Sequence, residues 1–413
     1  MAVTRDPAHP ATPRSLPSLE ETVFTRGSGA DLWDAQGRRY TDFVCGYGPV
    51  VLGHGHPAVV EEVHRQLQAG TLYPSAGRPL RDFLDVLSGL FPEQPGALLF
   101  KTGSEAVGAA MRLARHRTGR DMVLRLGFHG WHDQVISPHV NWHRFDHAER
   151  RSVQPLAVPG IYGAAVRVWH GDEVEDLLET VRSTRDLAAV VVDPVELPLP
   201  LADSAKRVLE AAHEAGALLV LDETKTCLRL GPGGAQERLG VTADVLVLGK
   251  AIANGLPLAV VLTDPALTAQ SRRLRIRGTF SNELASVAAA SATLRVLREE
   301  KVHERLARTG TALIDAVNAA LRGEGLGDRI CAVPYHWPCM PYLRFRNIAE
   351  TERMDFYARL VRRGVLLLPN HMNFVSAAHT DAHVEHAVRA VRATVQDMLG
   401  DGLLESRGGT RNE

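Results

Sequence analysis

The stretch from Leu218 to Lys250, LLVLDETKTCLRLGPGGAQERLGVTADVLVLGK, constrains the fold more than any other part of the chain. Two apolar, β-branched runs, Ala217–Leu221 and Val245–Leu248, have the length and composition of buried strands in a parallel sheet. Each ends on charge that a buried strand interior does not tolerate. Asp222 and Glu223 follow the first, and Lys250 follows the second after one Gly. In an open α/β sheet, ligands sit beyond the carboxyl ends of the strands. The chain therefore aims a carboxylate and an amine at one crevice. That pairing suits pyridoxal phosphate, which needs a lysine to hold its aldehyde as a Schiff base and an acid beside its pyridinium nitrogen. The lysine, once displaced, moves protons at the carbon next to the amine. Taken alone, either residue has a plainer explanation: a strand-end Asp capping a helix, or a solvated Lys.

The flanking sequence alternates strand and helix, which predicts an α/β protein with a mainly parallel sheet. Strands are expected at Ala97–Lys101, Met122–Leu126 and Ala188–Val192, and helices at Ser104–His116, Asp172–Arg182 and Ser204–Ala215. Leu258–Leu262 is expected to return antiparallel or at an edge, before a long helix from Leu284 to Glu299. Upstream, Asp31–Asp42 reads as a hairpin turning at Ala35–Gly37, followed by a Gly-rich loop and a helix from His56-Pro57. The expected organisation is a flexible lead-in over 1–20, the first part of a small domain over 21–55, a large domain over 56–299, and the rest of the small domain over 300–413. This last part carries strand candidates Tyr342–Phe345 and Val365–Leu368 and a final helix Asp381–Met398, giving a smaller α+β unit.

A formal net charge of −1 gives no reason to expect nucleic acid or an anionic membrane as partner. No apolar run approaches the ~20 residues of a spanning helix, and the N-terminus lacks the apolar core of a secretory signal. Cysteines stand at 45, 227, 331 and 339, without CxxC spacing or the density of a disulfide scaffold. A reduced, cytoplasmic protein is expected, and no metal site.

The segment KTGSEAVGAAMRLAR places Gly103 and Ser104 at a strand-to-helix turn, where free amides and the helix dipole attract a phosphate. Simple helix capping explains the same residues without a ligand. FHGWHD, Phe128 to Asp133, follows the next strand, so that Phe128 can stack on a flat cofactor with His129 beside it.

Together DE-x-x-T before a strand-G-K, TGSEA, FHGWHD and GPVVLGHGHP resemble the class III aminotransferases, fold-type I pyridoxal phosphate enzymes. GPVVLGHGHP, VWHGDEVEDLL, GVLLLP and FVSAAHTDAHVE are similar in particular to glutamate-1-semialdehyde aminomutases. The likeness runs from about Phe24 to Met398 in the family's order. It implies a large domain with a mainly parallel seven-stranded sheet and a small domain made from both termini. It implies Lys250 as Schiff-base lysine and Asp222 as partner of the ring nitrogen. Phe128 would lie on one ring face with His129 nearby, and Thr224 would stand on the other face, where the family usually has Val. Gly103 and Ser104 would bind the phosphate. Thr279 would reach the phosphate of a neighbouring subunit, which implies a homodimer with shared active sites.

Departures from the aminomutase pattern bear on substrate. Its Ser-Trp is replaced in the loop Cys45-Gly46-Tyr47-Gly48-Pro49, and the segment PNHMNFVS is shorter and lacks its Glu. Tyr47, Asn370, His371 and Asn373 are candidate substrate contacts, and Arg229 and Arg78 are the arginines weighed as a carboxylate clamp. Glutamate semialdehyde is therefore not expected as substrate. The altered loop and shortened segment resemble family members that transform amino sugars and aminocyclitols in aminoglycoside assembly. Lys250 serves one face of a planar intermediate, so inversion needs a second acid or base. Cys45 can supply one, because a thiol's unperturbed pKa near ~8.5 is tunable. It can equally be a small buried filler; Cys227, next to the Asp222 strand, is a second candidate for the acid or base, with a place in the core as its plainer reading. Two enzymatic readings result: an epimerase at the amine-bearing carbon of an amino sugar, of the gentamicin 6′ kind, or an aminotransferase acting on a sugar aldehyde or ketone. A non-catalytic binding protein on a borrowed fold fits poorly with Lys250 and Asp222 both present.

Overall fold

The computed structural model describes residue 19 and residues 22–136, 139–140, 152–153 and 157–405. The lead-in expected over 1–20 lies, apart from Leu19, outside the described residues, as do residues 406–413 of the tail. The chain divides into two compact units, Met1–Tyr47 with Arg308–Glu413, and Gly48–Ala307. No described helix is long and apolar enough to cross a membrane.

The larger unit is built on seven strands: β1 (Gly96–Phe100), β2 (Met122–Leu126), β3 (Val166–Val168), β4 (Leu187–Val192), β5 (Leu218–Glu223), β6 (Val245–Leu248) and β7 (Ala259–Thr263). Their order in the sheet is β1-β7-β6-β5-β4-β2-β3. β7 runs antiparallel to both β1 and β6, and the remaining neighbours are parallel. It therefore lies inside the sheet and not at an edge. Its sequence AVVLT is buried throughout, as a strand with neighbours on both sides requires.

The inner strands LAAVVV and VLVL are buried at every position, because helices cover both faces of such a sheet. One of these is α1 (Gly103–Thr118), whose apolar side chains between Ala106 and Ala114 join the core beneath the sheet. Its start is fixed by a capping box. The Thr102 hydroxyl accepts from the Glu105 amide at 3.3 Å, and the Glu105 carboxylate accepts from the Thr102 amide at 2.9 Å. It ends at Gly119, in the left-handed region at φ 68°.

One boundary differs from expectation in an instructive way. β5 does not stop at Leu221 but runs on through Asp222 and Glu223, paired with Val247 and Leu248 of β6. Both carboxylates are buried, and both are satisfied. Glu223 accepts from the amides of Ala235 and Gln236 at 2.6 and 2.7 Å and from the Thr226 hydroxyl at 3.1 Å. Asp222 accepts from the Thr224 amide and faces the His129 ring. A buried strand tolerates charge when partners are supplied.

The smaller unit holds a sheet of Phe24–Ser28, Asp31–Asp34, Arg39–Asp42 and Val365–Leu366, the last two parallel. The hairpin expected over Asp31–Asp42 is present. A second hairpin pairs Ile330–Tyr335 with Trp337–Phe345, and the unit also holds helices Glu350–Arg362 and Asp381–Gly400 and most of the helix Val302–Gly323. Cys339 is buried in this hairpin and Cys331 is half-buried.

Candidate active site

Four adjacent strands, β6, β5, β4 and β2, present charged or aromatic residues at their carboxyl ends. Lys250 follows β6 after Gly249, Asp222 belongs to β5, Asp193 follows β4, and Phe128-His129 follows β2. Strand-end placement lets backbone pairing fix these positions while the side chains point beyond the sheet.

Asp222 is 1% exposed. Its Oδ2 lies 2.6 Å from His129 Nδ1, and its Oδ1 accepts from the Thr224 amide at 3.1 Å. His129 Nε2 lies 2.8 Å from the Leu126 carbonyl. Both ring nitrogens thus face oxygen acceptors. Burial pushes the Asp222 carboxyl up. The His129 hydrogen bond and charge, with the Thr224 contacts, outweigh burial and leave it below the ordinary range.

Lys250 is half-buried, stands at φ 42° and opens the short turn Lys250–Ala253. Burial pushes its amine down to about 8, with Lys225 and Arg229 acting the same way and Asp193 and Asp222 opposing. The Thr224 methyl lies between the two glycine turns. A Cβ on Gly103 would come within 3.0 Å of it and one on Gly249 within 3.1 Å. Ser104 is buried, and its hydroxyl accepts from the Trp131 amide at 3.3 Å. Gly130, at φ 117°, packs directly on Ser104.

The structure thus brings Gly103, Ser104, Asp222, Thr224, His129 and Lys250 together, with half-buried Phe128 beside His129. Thr279 occupies an exposed turn. Arg229 is buried and donates to the Gly48 carbonyl, whereas Arg78 is exposed and pairs with Asp82. Asp193 and Lys225, an ion pair absent from the sequence reading, belong to the same cluster. Asp193 carried the signal that singled out Asp222, a carboxylate ending an apolar run. Nothing local marked Lys225.

The remaining candidates lie in the smaller unit. Cys45 is buried, at φ 49°, with its amide on Asp42 Oδ1 at 3.1 Å. Its thiol lies 3.4 Å from the Asp42 carbonyl and 3.5 Å from that of Phe374. The rings of Tyr47 and His371 meet edge-on at 6.0 Å. Asn373 accepts from the Leu368 amide at 2.6 Å and donates to the His371 carbonyl at 3.3 Å, and Asn370 stands half-buried at φ 52°. The Cys45–Phe374 and Tyr47–His371 contacts join the segment 370–374 to the Cys45 loop.

The cluster in the larger unit suits pyridoxal phosphate. The Gly103 and Ser104 amides, at the start of the 16-residue helix α1, have no acceptor among the described residues and fit a phosphate. An ionised carboxylate fits a protonated ring nitrogen, and an amine held near neutrality fits an aldehyde.

The chain belongs to the class-III aminotransferases: the family described as Aminotransferase class-III matches residues 14–394. It is 31% identical over 382 residues to a glutamate-1-semialdehyde 2,1-aminomutase of Methanosarcina acetivorans, covering 88% of this chain and 89% of that protein. To the 2'-deamino-2'-hydroxyneamine transaminase of Streptomyces kanamyceticus it is 34% identical over 375 residues, covering 89% and 90%. Among solved structures, the FumI protein of Sphingopyxis sp. MTA144, with its PLP, superposes with a TM-score of 0.81 at 25% identity over 92% of this chain and 89% of the other. The fold is that of the fold-type I transaminases. The protein is a PLP-dependent enzyme, a transaminase or an isomerase, and pyridoxal 5′-phosphate is its cofactor.

Proposed function

We propose that this enzyme acts at the amine-bearing carbon of an amino sugar of the aminoglycoside kind and inverts that carbon. The observation carrying the reading is the seat of Cys45. A non-glycine residue held at φ 49° in a run with Gly46, Tyr47 and Gly48, all at positive φ, stores backbone strain of the sort concentrated at functional sites. Its thiol rests on the Phe374 carbonyl, at the end of the segment whose Asn370, His371 and Asn373 are proposed, with Tyr47, to contact the sugar.

When bound, the cofactor supplies a ring that accepts the electron pair left when the carbon loses its proton. Gly103 and Ser104 would hold its phosphate, Asp222 its ring nitrogen, Phe128 and Thr224 its two faces, and Lys250 its aldehyde carbon. His129 fixes the Asp222 carboxylate by the 2.6 Å bond. Lys250 takes the proton from the carbon on one face, and Cys45 gives a proton from sulfur on the other. Before the next turnover the thiolate regains a proton from solvent and the Lys250 ammonium releases the one it took. Thr279, exposed on its turn, is proposed to reach the phosphate held by a second copy of the chain, making the enzyme a homodimer.

Transamination of the same class of sugar is the second reading, favoured by the relative named as a 2'-deamino-2'-hydroxyneamine transaminase. Both readings begin with loss of the same proton, so one experiment separates them. Candidate aminoglycosides are incubated with the holoenzyme in deuterated buffer without any keto acid. Epimerisation places solvent deuterium at the amine-bearing carbon with inversion, and Cys45→Ala abolishes this. Turnover that needs an amino donor or keto acid and survives Cys45→Ala establishes transamination instead.

A further inference from the structure

A second lysine follows the strand next to the one that Lys250 follows. Lys225 lies three residues beyond Asp222, in the loop after β5, and is 7% exposed. Its ammonium donates to Asp193 Oδ2, the one hydrogen bond it makes among the described residues. Asp193 follows β4, the strand next to β5. That carboxylate is itself confined: Oδ1 accepts from the Val195 amide at 3.3 Å, and Gly127, at φ 106°, leaves room for its Cβ only by lacking one. The ammonium is thus held at a fixed point of the strand-end cluster.

Charge follows from this placement. Burial alone would discharge Lys225, but Asp193, Glu196 and Asp222 outweigh it and keep the group cationic. The groups acting on Lys250 are Lys225 and Arg229 from the loop after β5, Asp193 after β4, and Asp222 in β5. The buried face of the helix Leu284–Glu299, which packs on the Lys250 turn, carries no charged side chain. Burial is the first influence lowering the proton affinity of Lys250, and two cations set against two anions act on top of it; a fixed neighbouring cation is a general way to free a lysine of its proton.

We propose that Lys225, pinned by Asp193, is a positioning residue that holds the nitrogen of Lys250 in its uncharged, nucleophilic form. This rests on the reading of Lys250 as the residue that anchors pyridoxal phosphate. Neither Lys225 nor Asp193 need touch substrate for it to hold. The pair tunes Lys250 through charge alone.

The test is a spectrophotometric pH titration of the holoenzyme, following the absorbance of the bound cofactor, with Lys225→Met, Lys225→Arg and Asp193→Asn alongside. Lys225→Met removes a cation and leaves its anion behind, so the midpoint moves up by about one pH unit, a tenfold change in proton affinity. Asp193→Asn moves it down, and Lys225→Arg restores the starting value to within a few tenths. A purely structural ion pair would lower thermal stability in these variants without moving the midpoint, and that result overturns the proposal. Should Lys225→Met fail to fold, the direction given by Asp193→Asn decides. Borohydride reduction and peptide mass analysis keep the two ideas apart. Cofactor fixed to Lys225, or to no lysine, refutes the anchoring role of Lys250, whereas cofactor on Lys250 with an unmoved midpoint refutes only the role given to Lys225.

Discussion

Adding one methyl group at Gly130 should unseat the phosphate cradle proposed at Gly103 and Ser104. A Cβ there would stand 1.9 Å from Ser104 Oγ, 2.7 Å from its Cβ and 2.9 Å from its Cα. Rotating the hydroxyl relieves the first contact but not the other two, so the backbone at the start of α1 has to move. Overpacking of this kind costs roughly 1–3 kcal/mol. The φ of 117° adds strain for any side-chain-bearing residue, roughly 1–2 kcal/mol. Gly130→Ala should therefore lose about 2–5 kcal/mol of stability. A displacement of roughly 1 Å at a reacting site also costs about a hundredfold in rate. The assay pairs chemical denaturation with a titration of cofactor absorbance, and Gly119→Ala serves as control on the same helix. Gly119 also has positive φ, at 68°, but its Cβ would meet nothing within 4 Å. It should lose about 1 kcal/mol and bind cofactor unchanged. If Gly130→Ala binds pyridoxal phosphate as tightly as the parent protein, the placement of the phosphate at Ser104 is refuted.

Three further outcomes are expected. His379 is 3% exposed, its Nε2 has no partner among the described residues, and its pKa is pushed down to about 4, by burial first and then by His383. The folded chain thus binds fewer protons than the unfolded one between about pH 6.5 and 4, so stability is full above 6.5 and falls by at most about 3 kcal/mol as pH drops through that window. Thermal melts across pH should show that slope shrinking in His379→Gln. Glu223→Ala leaves two amides and a hydroxyl without their acceptor and should cost about 3 kcal/mol or more in a urea melt. His129→Ala removes the largest influence holding the Asp222 carboxyl down, so it should weaken cofactor affinity measurably by equilibrium dialysis while leaving Lys250 reactive to borohydride trapping.

Much of the large unit was legible because its strands are buried on both faces and read as unbroken apolar runs. Met122–Leu126, Val245–Leu248 and the helix Leu284–Glu299 coincide with expectation to the residue. The three-residue β3 is too short to leave such a trace. The hairpin Ile330–Phe345 was only half seen, because Pro334, Pro338 and Pro341 interrupt it and it turns on His336, a non-glycine residue at φ 65°. A two-stranded sheet has only edges, so the prolines cost it little. The helices Arg78–Leu90, Val302–Gly323 and Glu350–Arg362 also went unread, their apolar faces being diluted by charge. Within the site, residues beside a strand end were legible from local pattern. The partnerships were not. His129 and Asp222 are separated by β4 in the sheet, and Lys225 meets Asp193 across a strand boundary, so only the strand order brings them within reach.

The neighbouring acids at the end of β5 have a consequence for folding as well as chemistry. Asp222 points to an imidazole and Glu223 to the amides of a short helix, on opposite sides of the strand. Sliding β5 by a single residue would turn each carboxylate to the opposite face, away from the partners that satisfy it. Misaligned pairing is therefore penalised by two stranded charges at once, so the residue proposed to grip the coenzyme also serves as an alignment key while the sheet assembles.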